Sequence, residues 1–512
     1  MSTFAAIDVG SYEISMKIFE LSKRKGIRQI DHIRHGIDMG TDSFRTGKLS
    51  FEVVEELCSI LKDYKKIMNS YRVQDYKAYG TSALRELRNT DIIIDQIKQK
   101  TGIDIEVITN SEQRFLDYKS VALQSEKFDR FIGKPTLIID IGGASIQLSV
   151  FEKDKLTSTQ NLSLGVLRLL DRMHTLGASL QNYRYLVGEL CETQMNTFKK
   201  LYLNGIDVEN LILIDDHISP LVVRNSKEYG INEVLSIDEI RKGLMTAYSM
   251  SKSEAIKNFG IQEDSVEHLH VSLTLLEKVL DVTGAKRMWT PGVTLCDGIV
   301  YEYAENMGFF KSPHDFESDI LACTMQISKR YSGSKKREET LERIALNIFD
   351  TIRKTNGLTD RDRLLLQIST YLHDCGKYIS MSNLADCSYS IIKNTEIIGI
   401  SHKERVIIAN VVRYNQLEFD YLNDFQDHEH VDIRDHMTIA KLTAILRLAN
   451  GLDRSHKMKF RDVDIKIEQD NMIITVETDM DISLEKGLFG RRAEFFEEIY
   501  NLRPVIRQKR SF

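Results

Sequence analysis

The chain contains the stretch Leu137-Ile138-Ile139-Asp140-Ile141-Gly142-Gly143-Ala144-Ser145, in which an apolar run leads into an acidic, glycine-rich turn. An earlier stretch, Ala5-Ala6-Ile7-Asp8-Val9-Gly10-Ser11, has the same form. Shifting the sequence against itself by 132 residues, without a gap, places Asp8 on Asp140 and Gly10 on Gly142. This internal repeat predicts two structural units of the same kind.

Each turn is followed by an alternating run, residues 14–18 in the first unit and residues 146–150 in the second. A period of two predicts a strand with one buried face, so each unit should be a hairpin with an aspartate at its bend. Glycine lets backbone N–H groups approach an anion, and an adjacent carboxylate can hold a divalent cation. A single Asp-x-Gly sequence is more often only a turn. The second copy in matching register favours a site that binds a phosphate chain from both sides.

The composition limits the class of protein. A chain of 512 residues with 42% apolar residues is long enough for three or four domains, because single cores stop growing at about 250–300 residues. The net charge of -6 argues against a nucleic-acid-binding surface over the whole protein. The sequence has no signal segment and no apolar stretch of about twenty residues, which predicts a cytoplasmic protein without a membrane partner. Its 6 scattered cysteines are typical of reduced thiols.

The rest of the first half alternates between strand and helix patterns. Ser50 is placed to cap a helix over residues 51–61. The run Gly80-Thr81-Ser82-Ala83-Leu84-Arg85 reads as a strand end and a turn that opens a helix and could receive an anion. A strand at Ile105–Ile108 then leads into a helix from Asn110 to Val121. This order predicts an α/β fold.

The second half differs after its predicted strand Leu211–Ile214. A third glycine-rich phosphate loop would be expected there, but residues 215–220 contain no glycine. From about residue 316 the pattern is helical. The runs 463–467 and 472–476 predict a late hairpin, and a final helix is predicted from Ala493 to Tyr500.

Five motifs in this order and spacing resemble the exopolyphosphatase and guanosine pentaphosphate phosphohydrolase (Ppx/GppA) family over nearly the whole chain. They are Ala6–Ser11, Gly80–Arg85, Ile108–Asn110, Ile139–Gly143 and Leu164–Arg168. The resemblance implies two α/β domains of the actin/hexokinase-like (RNase H-like) type, at residues 1–125 and 126–305. An all-α HD-like domain at 306–456 and a small C-terminal α+β segment at 457–512 would follow.

The resemblance also implies a function. Family members remove the terminal phosphate from inorganic polyphosphate or from guanosine pentaphosphate (pppGpp), in the cleft between the two domains, with a divalent cation. We therefore expect Mg²⁺ or Mn²⁺ on Asp8 and Asp140, a homodimer, and polyphosphate or a guanosine penta- or tetraphosphate as the ligand. The expected phosphate-binding residues are Gly10, Ser11, Thr81, Ser82, Arg85, Gly142, Gly143 and Ser145.

Two departures affect the residues expected to be catalytic. Where the resemblance places glutamates, this chain has Gln113 and Gln147. An amide can neither take a proton from water nor bring charge to a metal. Glu112 is the remaining candidate to align a water, and Asp140 is also expected to be catalytic. In addition, Ala144 replaces the third glycine of the second turn.

The helical region carries the His373-Asp374 pair that is the signature of HD phosphohydrolases, and it retains Asp453. Three residues stand where family members usually have histidine: Arg337, Cys387 and Asn415. Two ligands do not make a metal site, so we expect His373 and Asp374 to be structural. A Cys387 thiolate ligand is the alternative.

Three functions are compatible with these features. The first is a hydrolase of phosphoanhydrides. The second is a catalytically impaired relative that binds polyphosphate or an alarmone as a sensor, which the losses at both sites favour. The third is a sugar or acetate kinase, which the missing nucleotide-side glycine loop disfavours.

Overall fold

A computed structural model describes residues 2–214, 234–259, 265–421, 431–460 and 463–509. The chain divides into two compact units, Met1–Asp319 (unit 1) and Ile320–Phe512 (unit 2). Unit 1 contains two mixed sheets, and unit 2 is mainly helical. No helix in the described residues is both long and apolar enough to span a membrane.

The first sheet of unit 1 has five strands. They are β1 (Ser2–Val9), β2 (Glu13–Ser22), β3 (Gly26–Gly36), β4 (Asp75–Gly80) and β5 (Glu106–Val107). Their order across the sheet is β3-β2-β1-β4-β5, with β1 antiparallel to β2 and parallel to β4. The accompanying helices are α1 (Met39–Thr46), α2 (Phe51–Ser70), α3 (Ser82–Arg85), α4 (Thr90–Thr101) and α5 (Asn110–Ala122).

The second sheet has six strands. They are β6 (Thr136–Ile141), β7 (Ile146–Glu152), β8 (Lys155–Leu162), β9 (Asn210–Ile214), β10 (Val234–Ser236) and β11 (Arg287–Trp289). Their order is β10-β11-β9-β6-β7-β8. The helices that follow α5 are α6 (Ser125–Ile132), α7 (Val166–Thr175), α8 (Leu180–Phe198), α9 (Ile237–Ser249), α10 (Lys252–Phe259), α11 (Ser265–Thr283) and α12 (Leu295–Asn306).

The predicted repeat is present as two hairpins in the same register. Asp8 lies opposite Ser15 across β1 and β2, and Asp140 lies opposite Gln147 across β6 and β7. The prediction of one buried face was wrong, because the interior residues of β2 and β7 are buried on both faces. Along β1, Ala5 and Ile7 pack into one core while Phe4 and Ala6 pack into another.

Helix α12 provides that second core for the first sheet. It lies in the segment 126–305 by sequence, but Leu295, Cys296 and Ile299 pack with Phe4 and Ala6 of β1. A buried ion pair adds to this contact, since Lys17 Nζ donates to Asp297 Oδ2 at 2.6 Å. The chain therefore returns to the first half after it has built the second, and no single cut separates the two.

Unit 2 contains helices and one small sheet. The helices are α13 (Phe316–Arg330), which spans the division between the units, α14 (Lys335–Asn356), α15 (Asp360–Leu372), α16 (Leu384–Asn394), α17 (His402–Tyr414), α18 (Ile433–Leu452) and α19 (Ser483–Tyr500). The strands are β12 (Val463–Glu468), β13 (Asn471–Glu477) and β14 (Arg503–Lys509). The predicted hairpin is β12–β13. The predicted last helix begins earlier, at Ser483, and β14 follows it, parallel to β13.

Candidate active site

The β1–β2 and β6–β7 turns have the same backbone hydrogen bond. Gly10 N donates to Glu13 O at 3.0 Å, and Gly142 N donates to Ser145 O at 3.0 Å. A Cβ atom at position 10 would lie 2.7 Å from Glu13 O, so this turn has room only for glycine. Ser145 was predicted to bind phosphate, and in the structure its backbone carbonyl accepts the hydrogen bond that closes the second turn.

The two turns lie against one another. A Cβ atom on Gly143 would lie 3.2 Å from Ser11 Cβ and 3.1 Å from Leu167 Cδ1. The carbonyl of Ser11 accepts hydrogen bonds from Met39 N at 3.0 Å and Gly40 N at 2.7 Å, which ties the first turn to the start of α1. The halves of unit 1 therefore meet at the position where the glycines leave space.

A cavity of about 130 Å³ opens beside this contact. Residues of the first half that line it are Asp8, Gly10, Ser11, Tyr12, Glu13, Ser15, Thr81, Ser82, Gln113 and Asp117. Residues of the second half that line it are Asp140, Ile141, Gly142, Gly143, Ile214, Val293, Thr294 and Leu295. The two repeated aspartates thus share one cavity.

Hydroxyl groups are held at the first-half wall of the cavity. The Ser11 and Ser82 hydroxyls are 2.7 Å apart, and Thr81 Oγ1 donates to Val9 O at 3.3 Å. Each of these side chains belongs to the predicted phosphate-binding set. A hydroxyl has one hydrogen to donate, so in this arrangement one member of the Ser11–Ser82 pair is left to donate to a phosphate oxygen.

Helix α5 presents one face to the cavity and is fixed at its start by a capping box. Thr109 Oγ1 accepts from Glu112 N at 3.2 Å, and Glu112 Oε2 accepts from Thr109 N at 2.9 Å. Glu112 is absent from the cavity lining, whereas Gln113 and Asp117 belong to it. In the structure Glu112 caps the N-terminus of α5. Its predicted role in aligning the attacking water stays a prediction.

Arg85 and Gln147 make contacts that the sequence motifs do not predict. The Arg85 guanidinium donates to Ile108 O at 2.6 Å and to Asn110 Oδ1 at 2.5 Å, so it holds the segment that leads into α5. Arg85 is not among the lining residues. Gln147 is 3% exposed and accepts a hydrogen bond from Arg114 Nε at 3.3 Å.

The charge of the cavity decides what it can bind. Four carboxylates line it, those of Asp8, Glu13, Asp117 and Asp140, and no lysine, arginine or histidine does so within the described residues. Such a wall repels a phosphate group unless a cation lies between them. Mg²⁺ is commonly held by one or two carboxylates together with substrate phosphates and water. Asp8 and Asp140 fit that pattern.

Two comparisons by sequence identify the family. The profile of the Ppx/GppA phosphatase family matches residues 19–307, and that of its domain III matches residues 322–490. The chain belongs to the Ppx/GppA phosphatase family. Guanosine-5'-triphosphate,3'-diphosphate pyrophosphatases from Photobacterium profundum and Vibrio parahaemolyticus are each 20% identical, over 415 and 438 residues, with 80% of both chains covered.

Solved structures show the same fold over 60% of this Ppx/GppA protein. An exopolyphosphatase from Cytophaga hutchinsonii matches with a TM-score of 0.54 and 20% identity, covering 60% of this chain and 98% of that one. The Aquifex aeolicus family member matches with a TM-score of 0.50 and 21% identity, covering 60% and 99%. The predicted actin/hexokinase-like fold is thereby confirmed for this part, and the HD-like assignment of the helical region stays a prediction.

The polar cluster around His373 in unit 2 of this Ppx/GppA protein is filled by basic side chains. Asp374 Oδ2 accepts from Arg337 Nη1 at 2.9 Å and from Lys377 Nζ at 2.6 Å. His373 Nδ1 donates to Thr370 O at 2.8 Å. Burial lowers the pKa of His373 to about 4, so the ring is neutral near pH 7. Although burial opposes it, His373, Lys377 and Arg337 hold the pKa of Asp374 below its usual value.

The remaining members of this cluster are also engaged in structure. Asn450 Nδ2 donates to Asn415 Oδ1 at 3.3 Å, and Asp453 Oδ1 accepts from Met458 N at 3.0 Å. Cys387 is half-buried on α16. Across the described ranges, no three His, Cys, Asp or Glu side chains are grouped so that they could hold a metal ion. The Arg337 guanidinium supplies the positive charge beside Asp374, at 2.9 Å.

Proposed function

We propose that this chain is a phosphoanhydride hydrolase that removes the terminal phosphate from inorganic polyphosphate or from guanosine pentaphosphate. The observation that carries the proposal is that the aspartate turns of the internal repeat line one cavity. The similar proteins include a guanosine-5'-triphosphate,3'-diphosphate pyrophosphatase and an exopolyphosphatase, which supports the same class of reaction.

In this proposal different residues bind the cation and the terminal phosphate. Asp8 and Asp140 would hold a divalent cation, Mg²⁺ or Mn²⁺, which supplies positive charge to the phosphate oxygens. The hydroxyls of Ser11, Thr81 and Ser82 and the turn N–H groups orient the terminal phosphate. The close contact between the turns keeps these groups in a fixed arrangement, which is the main requirement for phosphoryl transfer.

A second candidate function has its own support. The amides Gln113 and Gln147 occupy the positions where the family resemblance expects glutamate, and Arg114 contacts one of them. A chain without a general base would bind the ligand but release no phosphate from it, and could act as a polyphosphate or alarmone sensor. A homodimer, expected from the resemblance, is compatible with both functions.

The test measures orthophosphate release from long-chain polyphosphate and, separately, from guanosine pentaphosphate. Each reaction is run with Mg²⁺, with Mn²⁺ and with a chelator, and ligand affinity is measured in parallel at the same salt concentration. We expect release that depends on the metal from at least one substrate. Tight binding of either ligand without any release would replace the hydrolase with the sensor.

A further inference from the structure

Helix α5 carries a carboxylate, Asp117, one turn after Gln113, the amide that stands at the position of the expected catalytic glutamate. Gln113 and Asp117 are four residues apart, so they lie on one face of the helix with a rise of about 6 Å between them. Both line the cavity, and Asp117 is only 4% exposed. The face that lost a carboxylate at Gln113 therefore presents one at Asp117.

The other described carboxylates of the cavity have different positions. Asp8 and Asp140 stand at the strand ends beside the two glycine turns, where a cation and the phosphate are expected. Glu13 is paired with Arg34, whose Nε donates to Glu13 Oε1 at 2.7 Å. Asp117 alone comes from a helix, on the wall that also presents Gln113.

We propose that Asp117 is the general base of the hydrolysis, which rests on the function proposed above. The Asp117 carboxylate takes a proton from a water molecule while the water oxygen forms a bond to the terminal phosphorus. The P–O bond to the rest of the chain breaks in the same step. The shortened chain leaves with the electron pair as an oxyanion, and the new orthophosphate keeps the second hydrogen of the water.

The neighbouring amide completes the arrangement. Gln113 Oε1 accepts no hydrogen bond from the described residues, and it is buried at the cavity wall. A carbonyl oxygen there can accept from the attacking water and orient it, whereas Asp117 takes the proton. The base has moved along the helix, and an amide now positions the nucleophile.

The test compares Asp117→Asn with Asp129→Asn, which makes the same chemical change on an exposed residue of α6. A general base contributes about 10²–10⁴-fold to a rate. We expect kcat for phosphate release to fall by about that factor in Asp117→Asn, while KM changes little and Asp129→Asn matches the native chain. The acid limb of the pH profile of kcat should also disappear with Asp117.

A relocation variant keeps the proposal testable if Asp117→Asn fails to fold. The double variant Gln113→Glu with Asp117→Asn moves the carboxylate one turn back along the same face of α5. Phosphate release by this variant should be about tenfold or more above that of Asp117→Asn. If Asp117→Asn is unfolded, the reference is Gln113→Ala with Asp117→Asn, and release by the double variant should exceed it. Release that survives in Asp117→Asn with an unchanged pH profile would overturn Asp117 as the base and leave the hydrolase standing. No release by the native chain from either substrate would overturn both.

Discussion

The cavity of unit 1 and the polar cluster of unit 2 treat buried carboxylates in opposite ways. In unit 1 the described wall is acidic, and the space beside Asp8 and Asp140 has no basic side chain in its lining. In unit 2 the carboxylate of Asp374 is already neutralised by Arg337 and Lys377. The acidic lining of the unit 1 cavity leaves room for an external cation, whereas in unit 2 the positive charge comes from the protein's own side chains.

The aspartates of the cavity should show the largest effect. Asp8→Asn or Asp140→Asn removes charge that the cation needs, and the loss of several kcal/mol of transition-state stabilisation corresponds to about 10²–10³-fold or more in rate. Phosphate release measured over a range of Mg²⁺ concentrations checks this, with Asp129→Asn as the control. Native rates in both variants would mean that the cavity does not need the cation where we place it.

Arg337→Ala should cost the next largest amount. Arg337→Ala removes one of the two cations that pair with the buried Asp374 carboxylate, and Lys377 Nζ remains at 2.6 Å. We therefore expect a cost at the low end of the roughly 3–5 kcal/mol that is typical of breaking a buried ion pair. Denaturant unfolding, with Arg343→Ala on the exposed face of α14 as the control, measures the loss. The apolar pair Arg337→Met with Asp374→Leu should recover most of it.

The opposite outcome would revise our interpretation of unit 2. If native protein is purified with stoichiometric metal that is lost in His373→Ala, then Arg337 does not replace a cation. The cluster would be a second metal site, and its likeness to the cavity of unit 1 would be greater than the structure indicates.

Arg85→Ala separates a direct phosphate contact from a positioning role. The guanidinium holds Ile108 O and Asn110 Oδ1, so its loss should lower the free energy of unfolding by about 1–3 kcal/mol. Polyphosphate affinity, measured against salt concentration, should keep its native slope. A shallower slope would show that Arg85 contacts the ligand directly, as the family resemblance implies.

At neutral pH the smallest effect is that of His373, which appears only in acid solution. The pKa of His373 is lowered from 6.5 to about 4 by burial, so below pH 6.5 the unfolded chain binds a proton that the folded chain excludes. Stability is therefore complete above pH 6.5 and falls between pH 6.5 and 4, with a slope of up to about 1.4 kcal/mol per pH unit. His373→Gln should remove this part of the slope in denaturant titrations. An identical slope in native and variant protein would contradict a neutral, buried ring.

The sequence predicted the parts of the fold that depend on local pattern and on repetition. The gap-free repeat predicted both hairpins, and the helix predicted from Asn110 to Val121 is α5. The position of α12 could not be predicted, because its partners in β1 lie almost 300 residues earlier in the chain and periodicity carries no information about such distances. The edge strand β14 was missed because Pro504 interrupts an already weak alternation.

The sequence predicted only those site residues that belong to a recognisable motif. Asp8, Asp140 and the hydroxyls of Ser11 and Thr81 follow from the turns. Asp117 carries no motif, and its only signal is its spacing of four from Gln113 on one helix. The cavity residue Thr294 does carry a local signal, since Gly292 follows shortly after β11 and Thr294 and Asp297 form a capping box.

The return of α12 to the first sheet has a consequence during synthesis. Phe4, Ala6, Phe19 and Leu21 need Leu295 and Ile299 to complete their core. A ribosome adds about 5–20 residues per second, so the sheet face that begins with residue 2 waits roughly 10–35 seconds between the synthesis of residue 125 and that of residue 306. During that interval the nascent chain exposes an apolar face, which makes the earliest part of the protein the one that finishes folding late.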